Sequence, residues 1–400
     1  MPVYLDNNAT TQPLPRVVEA MDDALRQTWA NPSSVHRAGQ AARHAVELSR
    51  ASVARLIGVA PAEVVFTSGA TESINLAIRG VLAAASAGQG KRSVPSKPVV
   101  VSTPIEHEAV RELLAELSRR GVVEVRTAPV GRDGAVSASE VAALIDDAVA
   151  LVNVMWANNE TGVMQPVEEI GAICRDRGVI FHVDGTQVIG KRAIDVARGG
   201  PRGAPVCDLL SFSAHKFHGP KGAGALWVRR GVRLVPQQPG VQERERRAGT
   251  ENVPAIVGMG EAADAAADWL KTHENTAQII ALRDRLEGGV LERVPGAKVN
   301  GAGAARLDNT TNIAFPKLEA EALLLLLSER GVYASAGAAC SSGSLDPSPV
   351  LLAMGIPSEE AHGSLRFSLS RLTTDAEIDE ALGVIPSCVE RLRASATSVR

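Results

Sequence analysis

The chemistry suggested by this 400-residue sequence centres on one lysine, Lys216, set among small hydroxylated and imidazole side chains. It follows Ser213 and His215, and a Gly-Pro turn begins three residues after it. The apolar run of residues 207–210 predicts a short buried strand just before it. A lysine amine at a strand end can form a Schiff base with the aldehyde of pyridoxal phosphate, a cofactor that acts as an electron sink. On this stretch alone, a surface loop with solvated lysines is the simpler explanation.

Two other strand ends carry groups that suit the same cofactor. Asp184 follows an apolar strand predicted for residues 179–183, where its carboxylate could pair with a pyridinium nitrogen. An aspartate that ends a strand through an Asx turn is the alternative. Residues 68–73 lie between a strand and a helix, and their backbone N–H groups with the Thr71 hydroxyl suit a phosphate. An ordinary helix cap explains this turn equally well.

The elements that must position these groups are predicted from the hydrophobic pattern. Strands alternate with helices from residue 64 to residue 228, which predicts a mainly parallel sheet covered on both faces. Ligands of such sheets bind beyond the carboxyl ends of the strands. We therefore expect a shared edge for the groups that follow predicted strands, namely Thr71, residues 105–107, Asp184 and Lys216.

After about residue 255 the pattern becomes mainly helical, which predicts a second, smaller α+β domain. We predict an α/β protein with a large domain of residues 14–257 and a small domain formed by residues 1–13 and 258–400. Residues 83–98 and 197–205 are rich in small residues or in Gly and Pro, and they are expected to be exposed insertions.

Cys340 lies in a run of eleven small residues, 334–344, that cannot bury much apolar surface. We expect a mobile loop that presents a thiol to a substrate, the alternative being a glycine-rich linker with an incidental cysteine. Arg366 lies in an alternating strand pattern and could bind a substrate carboxylate with its forked guanidinium. For Arg366 alone, a solvated or paired surface charge is the leading alternative.

Composition excludes several classes of function. The net charge of −3 and the 3% aromatic content argue against a nucleic-acid partner. The first six residues show no signal peptide and no apolar run is long enough to span a membrane, so a cytoplasmic protein is expected. The four cysteines form no C-x-x-C pair, so no metal site made of protein side chains is predicted. Cys174, Cys207 and Cys388 have apolar neighbours and are expected to be buried thiols.

Taken together, a series of motifs in this sequence resembles the cysteine desulfurases of the class V aminotransferase family. The motifs follow one another through almost the whole chain, at residues 4–11, 68–73, 106–107, 156–162, 182–184, 213–216, 247–252, 334–344 and 361–371. Residues 155–159 and 242–244 resemble the NifS branch more closely than the IscS branch. The sequence departs from the family at the two insertions and at Gly185, where alanine is usual. The implied fold is the aspartate aminotransferase-like fold type I, with a mainly parallel seven-stranded sheet in the large domain.

The resemblance implies a role for each matching residue. Lys216 would carry pyridoxal phosphate as a Schiff base, His107 would stack on the ring, and Cys340 would be the catalytic nucleophile. Asp184 would pair with the ring nitrogen, and Gln187 and Asn159 would lie by the phenolic oxygen. Arg366, with Asn159, would bind the substrate carboxylate. The implied phosphate ligands are Ala70, Thr71, Ser213, His215 and, from the other subunit of a homodimer, Thr250.

The implied reaction removes sulfur from L-cysteine, leaving L-alanine and a persulfide on Cys340. The persulfide would pass its sulfur to an iron–sulfur scaffold protein of the NifU/IscU type, for nitrogenase maturation. Any contact of the enzyme with an iron–sulfur species would be through the persulfide on Cys340. The alternatives are a selenocysteine lyase, another class V aminotransferase, and a non-catalytic sulfur carrier that kept the fold.

Overall fold

The computed structural model describes residues 2–90, 95–337 and 347–397. Within these ranges the strands are β1 (Val3–Tyr4), β2 (Val64–Thr67), β3 (Val99–Ser102), β4 (Glu124–Thr127), β5 (Val149–Met155), β6 (Ile180–Asp184), β7 (Leu209–Ser213), β8 (Gly224–Val228), β9 (Lys298–Val299), β10 (Thr310–Ala314), β11 (Val332–Tyr333), β12 (Ser335–Ala336) and β13 (Ser364–Ser368).

The helices in the same ranges are α1 (Pro15–Gln27), α2 (Arg37–Ile57), α3 (Ala70–Ser86), α4 (Glu108–Arg119), α5 (Ala138–Ala143), α6 (Val167–Asp176), the single turn α7 (Gln242–Glu245), α8 (Val253–Leu270), α9 (His273–Arg293), α10 (Ala320–Glu329), α11 (Pro349–Ala353), α12 (Ser358–His362) and α13 (Asp375–Thr397). None of these helices is long and apolar enough to cross a membrane.

Local sequence signals set several of these boundaries. Pro15 opens α1, where its missing N–H costs nothing. Helix α2 ends at Gly58, whose φ of 71° lies in the left-handed region that favours glycine. Asn252 caps α8 by accepting a hydrogen bond from the Ala255 N–H.

The large sheet has seven strands in the order β2-β8-β7-β6-β5-β3-β4. Strand β8 runs antiparallel to β2 and β7, and the remaining pairs are parallel. The inner strands are buried throughout because α3 and α4 cover one face and α1, α2, α6 and α8 cover the other. Burial on both faces explains why these strands are continuous apolar runs. The predicted seven-stranded, mainly parallel α/β sheet is confirmed.

A second sheet of four antiparallel strands, in the order β12-β13-β10-β9, packs with α9, α10 and α13 around a separate core. The first residues of the chain belong to this core, since β1 pairs with β11 and both Val3 and Leu5 are buried there. Helix α8 contributes residues up to Ala266 to the large core. We therefore propose two domains, as predicted from the sequence. The second boundary, predicted at residue 257, is placed after α8 instead.

A buried ion pair holds an unusual turn at the edge of the large sheet. Glu243, Arg244 and Glu245 have φ values of 47°, 57° and 64°, a left-handed conformation that costs roughly 1–2 kcal/mol for each such residue. Arg50 donates two hydrogen bonds to the Glu243 carboxylate, of 2.7 and 2.8 Å, and both side chains are buried. Glu243 also accepts a hydrogen bond from the Phe66 N–H at 2.8 Å. The pair therefore fixes the turn against β2.

We expect the substitution Arg50→Met to lower the free energy of unfolding by about 3 kcal/mol, because it leaves the Glu243 carboxylate buried without its partner. The measurement is the shift in thermal unfolding midpoint. Glu47→Ala is the control, since Glu47 is the exposed partner of Arg50 at 3.1 Å and should change stability by less than about 1 kcal/mol. Equal shifts for the two variants would show that the buried pair does not hold the turn.

Candidate active site

A cleft of about 540 Å³ lies at the carboxyl edge of the large sheet, where β2, β3, β6 and β7 end. The predicted site residues that line it are Ala70, Thr71, His107, Asn159, Asp184, Gln187, Ser213, His215, Lys216 and Arg366. The strand ends thus converge as the hydrophobic pattern predicted. The roles of these residues remain predictions.

Two predicted site residues are not placed in this cleft. Thr250 is exposed and is not part of the cleft lining, and its predicted role at the phosphate of another subunit stays a prediction. Cys340 lies outside the described residues. Gly337, the last described residue before it, lines the cleft.

Lys216 ends the short 3₁₀ turn Ala214–Lys216 that follows β7 directly. Its Nζ atom donates hydrogen bonds to the backbone oxygens of Asn8, at 2.6 Å, and Ala9, at 2.8 Å. Both acceptors belong to the segment that follows β1. The lysine amine is therefore aimed by backbone groups from the beginning of the chain.

The turn before α3 forms a cradle for an anion. The first N–H groups of a helix have no intrahelical partner, and here those of Ala70 and Thr71 begin α3 at the cleft wall. A Cβ atom on Gly224 would lie 2.5 Å from Gly69 Cα, so only glycine permits this close approach of β8 to the turn. Helix N-termini with free N–H groups and nearby hydroxyls bind phosphate. The residues present therefore fit the phosphate of pyridoxal phosphate.

His215 lines the same cleft with a neutral ring. Its Nδ1 atom lies 3.1 Å from the Thr10 hydroxyl. Burial, with the neighbouring Lys216 and Lys221 ammonium groups, lowers the pKa of His215 to about 4. The ring therefore contributes hydrogen bonds rather than charge at neutral pH.

Asp184 is buried at the end of β6 and lines the cleft. One carboxylate oxygen, Oδ1, accepts hydrogen bonds from the backbone N–H of Thr186, at 3.0 Å, and from its hydroxyl. This is an Asx turn, the alternative considered for this residue. Pairing with a cofactor nitrogen would use the second oxygen, so the two roles are compatible.

His107 stands beside Asp184 at the start of α4, where its Nδ1 atom accepts a hydrogen bond from the Ala109 N–H at 3.1 Å. That bond places the ring proton on Nε2 and fixes the ring orientation. Burial lowers the pKa of His107, and the Asp184 charge opposes this shift. A neutral, oriented ring of this kind can stack on a flat cofactor.

A buried polar network supports the loop that carries His107. Glu106 accepts hydrogen bonds from the Thr103 hydroxyl at 2.7 Å, the Met155 N–H at 3.0 Å and Asn153 Nδ2 at 3.0 Å. Asn153 Oδ1 lies 2.6 Å from His182 Nδ1 on the next strand. The network crosses the sheet behind Asp184 and ties the loop to β5 and β6.

Arg366 lies in the middle of β13 and is buried, which differs from the surface charge considered as its alternative. It donates to Asp6 Oδ1 at 2.6 Å and to the Asn159 backbone oxygen at 3.0 Å. Its Nε atom is buried and has no hydrogen-bond partner among the residues that the structure describes. A guanidinium fixed in place at the cleft wall fits a carboxylate ligand.

Two residues of the site were missed by sequence reasoning. Asn8 provides a backbone acceptor for Lys216, and Lys191 donates to the side chains of Asn8 and Gln187. The spacing of four residues between Gln187 and Lys191 was the only local signal. The contact between residues 8 and 216 has no local signature.

Comparison with known proteins gives consistent matches over nearly the whole chain. The sequence model of the family "Aminotransferase class-V" matches residues 3–381. "Cysteine desulfurase 2" of Trichormus variabilis is 46% identical over 393 residues, which cover 98% of this chain and 94% of the relative. "Cysteine desulfurase NifS" of Azotobacter vinelandii is 45% identical over 393 residues, covering 98% and 93%.

Solved structures of similar proteins superpose on nearly the whole of this chain. A structure named "NIFS-LIKE PROTEIN" superposes with a TM-score of 0.87 at 38% identity, covering 98% of this chain and 100% of that one. A structure named "SspA in complex with cysteine" superposes with a TM-score of 0.78 at 31% identity, covering 93% and 99%.

The buried histidines predict that acid destabilises the protein. Burial lowers the pKa of His182 to about 3 and of His215 and His218 to about 4 in the folded chain. In the unfolded chain these histidines have a pKa of about 6.5. Between these pH values the unfolded chain therefore binds protons that the folded chain does not. Stability should therefore fall as the pH drops from about 6.5 to about 4. Glu106 has the opposite effect on stability, because burial raises its pKa to about 8 and the folded chain keeps it protonated. The unfolded chain releases this proton near pH 4.3, so the contribution of Glu106 to stability is lost as the pH rises from about 4.3 to 8.

The measurement is the thermal midpoint of the cofactor-free protein between pH 4 and 8. It should fall by several degrees on the acid side, and His182→Asn should reduce that fall. A midpoint that is the same at pH 7 and at pH 4.5 would contradict the assignment of neutral buried histidines.

Proposed function

This chain belongs to the class V aminotransferase family, and from that premise we propose that it is a pyridoxal phosphate-dependent cysteine desulfurase. The reaction takes sulfur from L-cysteine, releases L-alanine and leaves a persulfide on Cys340. The observation that carries the proposal is one cleft that combines an oriented lysine amine, an anion cradle and a buried carboxylate. The full-length similarity to proteins named cysteine desulfurases supports the same activity.

The cleft has a group for each part of the cofactor. Lys216 would hold it covalently, and Asp184 would pair with the ring nitrogen. Gln187 and Asn159 would lie near the phenolic oxygen, and His107 would stack on the ring. Ala70, Thr71, Ser213 and His215 would bind the phosphate. The bound cofactor supplies an electron sink that stabilises negative charge on the α-carbon of the substrate.

Lys216 is the residue that moves protons. As a neutral amine, its Nζ atom would take the proton from the substrate α-carbon. The Asn8 and Ala9 backbone oxygens accept hydrogen bonds from Nζ and so keep it within the cleft. Orientation of this kind lowers the entropic cost of the transfer.

Arg366 is the residue that orients the amino acid. Its guanidinium is held at the cleft wall by the Asp6 carboxylate and the Asn159 backbone oxygen, where it would meet the substrate carboxylate. A buried arginine that is already held in place loses little freedom on binding. This geometry recognises the carboxylate of an α-amino acid, and the side chain of the substrate is recognised by other groups.

Cys340 would perform the sulfur transfer. Its thiolate attacks the substrate sulfur, an S–S bond forms, and the bond between the substrate Cβ and sulfur breaks with its electron pair left on carbon. The three described cysteines are buried, and burial raises the pKa of Cys174 to about 12 and that of Cys207 and Cys388 above the ordinary value. Buried thiols of this kind are poor nucleophiles, which favours Cys340.

We extend the proposal to the partners. A homodimer is favoured by the exposed position of Thr250, the phosphate ligand that the resemblance assigns to the other subunit. The sulfur acceptor would be an iron–sulfur scaffold protein, in keeping with the resemblance to the NifS branch and nitrogenase maturation. A cytoplasmic location suits the reduced state of the described thiols.

Replacement of the nucleophile tests the sulfur-transfer step. We expect Cys340→Ser to reduce alanine and sulfide release from L-cysteine more than about 100-fold while the protein still binds the cofactor. Cys388→Ser is the matched control and should keep full activity. In the wild type, peptide mass mapping after cysteine addition should find the extra sulfur on the peptide that contains Cys340.

Full turnover by Cys340→Ser would refute the desulfurase mechanism. Preference for selenocysteine over cysteine would favour a selenocysteine lyase, and transamination without sulfur release would favour another class V aminotransferase. A protein that binds no pyridoxal phosphate would favour the non-catalytic sulfur carrier.

A further inference from the structure

Lys191 is a half-buried cation that the proposed reaction does not use. Its Nζ atom donates hydrogen bonds to Gln187 Oε1 at 2.7 Å and to Asn8 Oδ1 at 2.9 Å. It lines a cavity of about 40 Å³ behind Lys216, which also lines the main cleft. Lys216 therefore lies between the main cleft and the small cavity, and Lys191 lines only the small cavity.

The ammonium group decides which way the Gln187 amide points. Because an ammonium has donors and no acceptor, the oxygen of the Gln187 amide must face Lys191. The amide nitrogen then faces the other way and donates to the Asn8 backbone oxygen at 3.0 Å. That same oxygen accepts the 2.6 Å hydrogen bond from Lys216 Nζ.

The same logic applies to the Asn8 side chain. Its Oδ1 atom accepts hydrogen bonds from Lys191 and, at 3.2 Å, from Asn309 Nδ2. Its Nδ2 atom is therefore the donor to Thr310 Oγ1, at 2.9 Å, and to the Asn159 backbone oxygen, at 3.2 Å. One cation thus sets two amides that border the cleft.

The surroundings of Lys191 oppose its positive charge, whereas its hydrogen bonds to two amide oxygens favour the charged form. Burial lowers the pKa of Lys191 well below its ordinary value, and the nearby Lys216 and Arg366 charges act in the same direction. Asp308 lines the same cavity as Lys191, and its carboxylate lies 3.9 Å from Arg192. Among the described residues, Gln187 Oε1 and Asn8 Oδ1 accept the hydrogen bonds of the Lys191 Nζ atom.

We propose that Lys191 is a positioning residue, whose ammonium orients the side-chain amides of Gln187 and Asn8. Gln187 then presents its N–H donors toward the cofactor side of the cleft, and the Asn8 side chain fixes the residue whose backbone oxygen accepts from Lys216. This inference rests on the proposed function, because it assigns the oriented amide to the phenolic oxygen of pyridoxal phosphate. Lys191 acts through Gln187 and Asn8 and does not itself contact the substrate.

The test compares Lys191→Met, which keeps the length of the side chain and removes its donors, with the wild-type holoenzyme. We expect the dissociation constant for pyridoxal phosphate to rise about tenfold, the loss expected for one charge-assisted hydrogen bond. The absorption spectrum of the bound cofactor and its dependence on pH should change, and kcat should fall while the KM for cysteine stays within about twofold. Lys191→Arg, which keeps a cationic donor, should restore most of each property.

Two further comparisons separate positioning from a structural role. Arg192→Met removes the neighbouring cation, which lies 3.9 Å from Asp308, and should leave the spectrum and the dissociation constant unchanged. In a Gln187→Leu background, Lys191→Met should change the dissociation constant less than about twofold, because its main effect passes through Gln187. If Lys191→Met does not fold, Lys191→Gln, with one remaining N–H donor group, should show a smaller change in the same direction.

A wild-type spectrum and dissociation constant in Lys191→Met would overturn the inference, and so would an equal effect of Arg192→Met. These results would leave the proposed function intact, because the wild type would still bind the cofactor and release alanine. A wild-type protein that binds no pyridoxal phosphate would instead refute both proposals.

Discussion

The geometry of the site depends on one short peptide, residues 6–11, which runs between the two sheets. On one side its backbone is joined to β13, where the Asn7 N–H donates to the Ser368 oxygen at 3.1 Å. On the other side the Asn8 and Ala9 oxygens hold Lys216, and the Thr11 N–H donates to the His215 oxygen at 2.9 Å. The hydrogen bonds from Asn7 to Ser368 and from Thr11 to His215 join backbone groups, so breaking them would leave backbone polar atoms unpaired. The peptide therefore couples β13, which carries Arg366, to the turn that carries Lys216.

The charges around this peptide suit anionic ligands. Lys191 and Lys216 both donate hydrogen bonds to Asn8, and Arg366 donates to Asp6. The histidines of the cleft add no charge, because burial keeps His107 and His215 neutral. A phosphate, a phenolate and a substrate carboxylate would each find donors already in place. Such preorganised donors need little rearrangement when charge develops during the reaction.

Much of this arrangement could be predicted from the sequence. Apolar runs marked the buried strands, and the rule that ligands bind beyond strand ends brought Asp184 and Lys216 to one edge. The resemblance to a known family supplied the individual roles, including that of Cys340, which lies outside the described residues. The burial of Arg366 and the contacts of Asn8 and Lys191 could not be predicted, because they join residues up to 360 positions apart and leave no periodic pattern.

The most direct test of the account is the position of the cofactor on the chain. The purified protein, loaded with pyridoxal phosphate, is treated with borohydride and digested, and the modified peptide is identified by mass spectrometry. The account predicts a stable pyridoxyl group on Lys216 and none on Lys191, whose amine is engaged by Gln187 and Asn8. Attachment to Lys191, or no attachment at all, would contradict it.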